Sequence, residues 1–179
     1  NGGKKWTLIN NGIDASHPVR VIREDPNQAG LLYAGTEYGI YISFDDGDNW
    51  QSFQNNLPIT PITDIKIKNQ DLVMSTMGRG FWIMDNLTPL YQNKENNEIA
   101  LYKPRNATRR YYRGSNDVPQ FPRPAATIDY YLNTDADKGL TMTIAKSSDP
   151  SSPVRVFRNI KELTDTTMTT ERNMQTEFR

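Results

Sequence analysis

Three aspartates, Asp45, Asp46 and Asp48, surround Gly47 just before Trp50 in the stretch SFDDGDNW, residues 43 to 50. Three kinds of chemistry compete for such a cluster. A calcium loop needs oxygen ligands at alternate positions, a glycine at the sixth and a bidentate glutamate at the twelfth. Counted from Ser43, those two places hold Asp48 and Gln54; counted from Asp45, they hold Trp50 and Asn56. A glycosidase acid pair needs carboxyls roughly 5 to 10 Å apart, normally from different strands. Asp45 and Asp46 are chain neighbours, and neighbours on an extended chain point to opposite faces. A tight turn asks less. Gly47 tolerates positive φ, Asp45 can accept from turn amides, Ser43 can bond the nearby backbone, and Trp50 can bury a large apolar area. The turn is therefore the expected use, and the cluster is expected to carry out no catalysis.

Other residues with chemical potential are fewer. Arg79 sits between Gly78 and Gly80 in MGRGFW, residues 77 to 82, where a guanidinium at a loop tip can take a carboxylate or phosphate. It is the candidate ligand-binding residue, against the plainer use of a solvated turn charge. Asn133, Asp135 and Asp137 alternate in NTDADKG, but Lys138 and Ile144 occupy the glycine and glutamate places of a calcium loop. A hairpin turn is expected there. His17 is the one histidine, with no Ser or Cys partner arranged around it as a triad needs. RNATRRYYRG, residues 105 to 114, mixes arginine with tyrosine, a weak nucleic-acid signal that reads better as a solvated connector. No residue set reads as catalytic, metal-binding or cofactor-binding.

The elements that would position these residues read as short strands. VRVIRED (19–25) alternates apolar and polar residues, the period of a strand with one buried face. LLYAGT (31–36), IYISF (40–44) and WQSF (50–53) follow, rich in β-branched and aromatic residues. The cycle restarts with ITDIKIK (62–68), DLVMST (71–76) and FWIMD (81–85), and no stretch has a helical period. Thr36 and Thr76 each close a strand, and Gly39 and Gly80 each precede the next. Trp6 and Trp50 lie 44 residues apart. A period near 40 to 45 with about four strands per unit is the signature of a propeller blade. From residue 86 the texture turns polar and proline-bearing, as in a connector. ATIDYYLN (126–133) and LTMTIAKS (140–147) then suggest a hairpin, with PVRVFRNI (153–160) a possible third strand.

Ser43, Asp45, Gly47 and Trp50 resemble the Asp-box (BNR) pattern S-x-D-x-G-x-T-W, with Asn49 at the usual threonine. NGGKKW at residues 1 to 6 is similar to a second, degenerate box cut in half, with Gly3 and Trp6 at the conserved-type positions. Residues 71 to 91 are similar to the last blade of secreted bacterial proteins described as sortilin-like or as glycosyl hydrolases with BNR repeats. In that family the box is a fold device on the rim, and a connector and an immunoglobulin-like domain follow.

The resemblance implies an all-β chain: Asp-box β-propeller blades over residues 1–90, a connector over 91–124, and a partial immunoglobulin-like β-sandwich over 125–179. It implies a secreted or cell-envelope protein of a bacterium, acting as a protein- or glycan-binding scaffold. A glycoside hydrolase, sialidase-like or xyloglucanase-like, is the alternative, with its catalytic residues in blades elsewhere. A sialidase site uses three arginines, so Arg79 alone does not make one. One or two blades do not close a ring, so the rest of the propeller is the expected partner, as another chain or a cleaved fragment. The 21 basic and 21 acidic residues cancel, which argues against a broad grip on nucleic acid or anionic lipid. The chain has no cysteine, so disulfides and zinc-thiolate sites are excluded. No apolar run approaches the ~20 residues of a membrane-spanning helix, so membrane insertion is not expected. No cofactor is implied.

Overall fold

The computed structural model describes residues 2–92, 99–107, 126–132 and 141–158. Among the described residues the chain is all-β apart from one short helix. Strands β1 (Val19–Asp25), β2 (Gln28–Thr36), β3 (Ile40–Ser43) and β4 (Gln51–Ser52) form an antiparallel meander in that order. Strands β5 (Ile62–Lys68), β6 (Asp71–Thr76) and β7 (Phe81–Met84) form a second meander of three. Helix α1 (Thr88–Gln92) follows. Strands β8 (Ile99–Leu101) and β9 (Tyr130–Leu132) pair with each other, as do β10 (Thr141–Lys146) and β11 (Asp149–Arg158).

Alternation explains how the two meanders pack. Leu31, Tyr33, Ile40 and Ile42 lie on one face of the first sheet and share a core with Ile62, Ile65, Leu72, Met74 and Met84 of the second. The other face of the first sheet carries Leu32, Ala34, Tyr41 and Trp50, closed in part by Ile13. Between the sheets the approach at Gly35 is close: a Cβ there would meet the Ile62 and Val21 side chains at 2.7 Å. At typical values each buried Leu or Ile contributes about 1.5–3 kcal/mol, so this shared face is the main glue between the sheets.

The repeat is visible bond by bond. The Thr36 amide and hydroxyl both donate to the Gly39 carbonyl, and the Thr76 amide and hydroxyl both donate to that of Gly80. The next amides, Glu37 and Met77, donate to Pro18 and Pro61, each just before a first strand. Both first strands carry a register shift near their start, between Val19 and Val21 and between Ile62 and Asp64.

Three expectations change. The stretch expected to lack helix contains α1: Pro89 sits in its first turn, where a missing N–H costs nothing, and burial of Leu90 supports a segment too short to be stable alone. Strand β2 begins at Gln28 rather than Leu31, because only Pro26 and Asn27 are needed for the turn. The hairpin expected between residues 126–133 and 140–147 is not the pairing formed among the described residues. β9 pairs with β8, and β10 turns at Ser147 and Ser148 to pair with β11. The two-residue turn makes that return cheaper than closing a longer loop. The expected turn at 133–139 and most of the arginine–tyrosine stretch lie outside the described residues.

Candidate functional site

Two ends of the paired sheets hold the candidate residues. At one end is the turn from Ser43 to Trp50. Gly47 and Asp46 adopt φ values of 93° and 59°, which let the chain reverse. The Ser43 hydroxyl donates to Asp45 Oδ1 at 2.8 Å and accepts from the Gly47 amide at 2.9 Å. Asp45 Oδ1 also accepts from the Asn49 amide at 2.8 Å, and Oδ2 from the Asn49 side-chain Nδ2 at 2.7 Å. These donors, Asn49 first, hold the Asp45 carboxyl below its usual range. Both of its oxygens are engaged in the turn. Trp50 is 5% exposed, and its indole N–H donates to the Ile9 carbonyl at 2.8 Å. Its backbone amide donates to Asn11. Gly12 lies so close beneath that a Cβ there would meet the Trp50 carbonyl oxygen at 2.0 Å. The turn thus clamps residues 9–12 against the sheet.

Gly3 is also in a left-handed turn, at φ 76°, but Trp6 is 87% exposed. The structure brings Ser43, Asp45, Gly47 and Trp50 together and does not bring Gly3 and Trp6 to them by any described bond. Among the described residues no group of three or more His, Asp or Glu side chains could hold a metal ion.

The opposite end carries the Thr36–Gly39 and Thr76–Gly80 loops. Arg79 is exposed at its loop tip, its amide donating to the Thr76 hydroxyl at 3.1 Å and its carbonyl accepting from the Trp82 indole at 3.0 Å. Those bonds fix its backbone and leave the guanidinium in solvent. Met77 and Phe81 beside it are 58% and 76% exposed. In the sister loop, Tyr38 is 45% exposed and stacks on His17, with ring centroids 4.6 Å apart. His17 Nδ1 and the Tyr41 hydroxyl share a hydrogen bond of 2.8 Å. Arg20 and Glu37 pair alongside at 2.7 Å, a half-exposed bridge of small energetic weight. The lone histidine is therefore part of an aromatic cluster.

One cluster was not anticipated. Asp25 is 2% exposed at the end of β1. Its Oδ1 accepts from the Asn27 amide and side chain, and its Oδ2 from the hydroxyls of Tyr33 and Tyr91 at 3.1 and 2.9 Å. Burial first, and then Asp25, through its charge at Tyr33 and its hydrogen bond at Tyr91, push both tyrosines above the ordinary phenol range. The Asp25-Pro26-Asn27 turn is a sequence signal for the first two bonds. Nothing local announces Tyr91, which arrives on α1 from 66 residues away. The arrangement is a polar lock between the first sheet and α1, with both carboxylate oxygens engaged.

Compared with known proteins, the chain matches no family model, no curated protein and no solved structure.

Proposed function

We propose that the two meanders are successive blades of an Asp-box β-propeller, and that the protein is a binding scaffold of a bacterial envelope or secreted protein. Its ligand, a protein or a glycan, is held on the rim formed by the Thr36–Gly39 and Thr76–Gly80 loops. What supports the blade reading is translation. The face of the first sheet that the second covers carries Tyr33, Ile40 and Ile42. The corresponding face of the second sheet, by register, carries Val73, Phe81 and Ile83, and Phe81 there is 76% exposed. A third sheet stacked in the same sense, from the rest of the propeller, would cover it. The strand pairs after α1 are in this reading the start of an immunoglobulin-like module.

The observation that carries the binding reading is the composition of a braced rim. Tyr38, Met77 and Arg79 stand exposed on loops whose backbones are tied down by threonine hydroxyls. Aromatic, Met and Arg side chains are the ones enriched in recognition surfaces, and bracing lowers the ordering cost of binding. The test is a glycan and protein binding screen of the complete protein beside its Arg79→Ala and Tyr38→Ala variants. Ligand retention reduced about tenfold or more by either change is expected. Unchanged retention in both, or turnover of sialosides or β-glucans that depends on an inner-strand carboxylate, would sink the reading.

A further inference from the structure

Two steps onto glycine lie on the segments that the Trp50 clamp joins: Asn11–Gly12 and Asp46–Gly47. Asparagine or aspartate before glycine can close a five-membered imide, when the glycine nitrogen attacks the side-chain carbonyl carbon. The bare glycine leaves that nitrogen sterically open. What separates the two steps is how each glycine amide is used. The Gly47 amide is buried and donates to the Ser43 hydroxyl at 2.9 Å. The Gly12 amide donates to nothing among the described residues, and both Asn11 and Gly12 are exposed.

The turn around Gly12 favours the attack. The Ile13 amide donates to the Asn10 carbonyl at 3.0 Å, with Gly12 at φ 95° in the third place of the turn, which suits glycine. The Trp50 amide donates at 2.8 Å to the Asn11 carbonyl, which shares a peptide group with the Gly12 nitrogen. A donor there stabilises the charge that spreads onto that oxygen when the nitrogen loses its proton.

The product does not fit where the asparagine does. Asn49 gives its Nδ2 to Asp45 Oδ2, so its Oδ1 faces Asn11 and accepts from Asn11 Nδ2 at 2.7 Å. A carboxylate at position 11 would set oxygen against oxygen there and lose that bond. An isoaspartate would also route the chain through the side chain and lengthen it by one carbon. Gly12 has no room for that: even a Cβ would meet the Trp50 carbonyl oxygen at 2.0 Å.

We propose that Asn11–Gly12 is a self-modification site, with water as its co-reactant, and that its conversion releases the clamp on Trp50. The Gly12 nitrogen, its proton taken by hydroxide, bonds to Asn11 Cγ. The Cγ–Nδ2 bond breaks, and ammonia leaves with a proton from water. Water then opens the imide, at Cγ to give aspartate or at the main-chain carbonyl to give isoaspartate. Nothing is oxidised or reduced. The site stands whether or not the rim binds a ligand.

The test incubates the 179-residue protein in mildly alkaline buffer beside blocked peptides of residues 8–15 and 43–50. All three are mapped by chromatography and mass spectrometry, which also separates position 11 from Asn1–Gly2, the other Asn-Gly step of the chain. Aspartate and isoaspartate should form at position 11 of the folded protein within about tenfold of the rate in its peptide. Asp46 should be slowed far more, relative to its own peptide. In the converted protein the Trp50 amide and indole N–H should exchange with solvent about tenfold faster or more. Asn11→Gln keeps an NH2 group but would have to close a six-membered ring, so that variant, incubated alike, should show neither change. Four results overturn the proposal: slower conversion at position 11 than stated, equal slowing at positions 11 and 46, unchanged Trp50 exchange after conversion, or the same loosening in the Asn11→Gln protein.

Discussion

The two sheets begin alike and end differently. Each starts after a proline, shifts register at the same place, and braces its second hairpin with a threonine bonded to a glycine carbonyl. At the other end the first sheet closes through the Ser43–Trp50 turn, a fourth strand and a buried indole. The second leaves β7 through Asn86, at φ 63°, whose amide donates to Asp71 Oδ1 and whose side chain donates to Asp129. Asp71 Oδ1 also receives Arg105 at 2.7 Å. One sheet is thus closed by its own turn, and the other by α1 and the segment beyond it. A repeated framework accepts different closures because the braces at one end share no residue with the pins at the other.

The largest test of that contrast is Trp50→Ala, which should cost about 3–5 kcal/mol in chemical unfolding, since it empties a buried aromatic site. Trp82→Ala, at a half-buried position in the second sheet, should cost roughly half as much. Equal losses would mean that the two tryptophans hold equivalent places.

Next is the lock between the first sheet and α1. Asp25→Ala leaves the Tyr33 hydroxyl buried without its acceptor and should cost about 1–3 kcal/mol. It should also speed amide exchange at Leu90 on α1, because Tyr91 loses its anchor. Tyr91→Phe should release the helix while leaving Tyr33 bonded. If Leu90 exchange is unmoved by either change, α1 is held by apolar packing alone.

The smallest effect concerns acid. The Asp45 carboxyl is depressed in the fold, so its contribution is fully present above the ordinary aspartate value of about 3.9 and is lost as pH falls through the lowered one. A carboxyl titration by NMR should find its midpoint below that of an unstructured aspartate. Asn49→Ala should move the midpoint up, because Asn49 is the leading cause. A midpoint indifferent to Asn49 would remove the turn's hydrogen bonds as the explanation.

The sequence alone carried the strands and the repeat. Alternation over 19–25 and 62–68 and the β-branched stretch at 71–76 coincide with β1, β5 and β6 because those signals are local. The glycine and aspartate of the turn act within eight residues, so their geometry was readable too. Helix α1, the β8–β9 pair and the Asp25–Tyr33–Tyr91 lock were not. The β8–β9 pair and the lock join residues far apart in the chain, and α1 is a single turn anchored by Tyr91 reaching Asp25, so no short-range period announces any of them. The strand at 50–53 was legible too, while only tertiary structure decided that among the described residues β7 pairs with β6 alone. The physical reason is that an edge is filled or left by segments distant in the chain, which no local period announces.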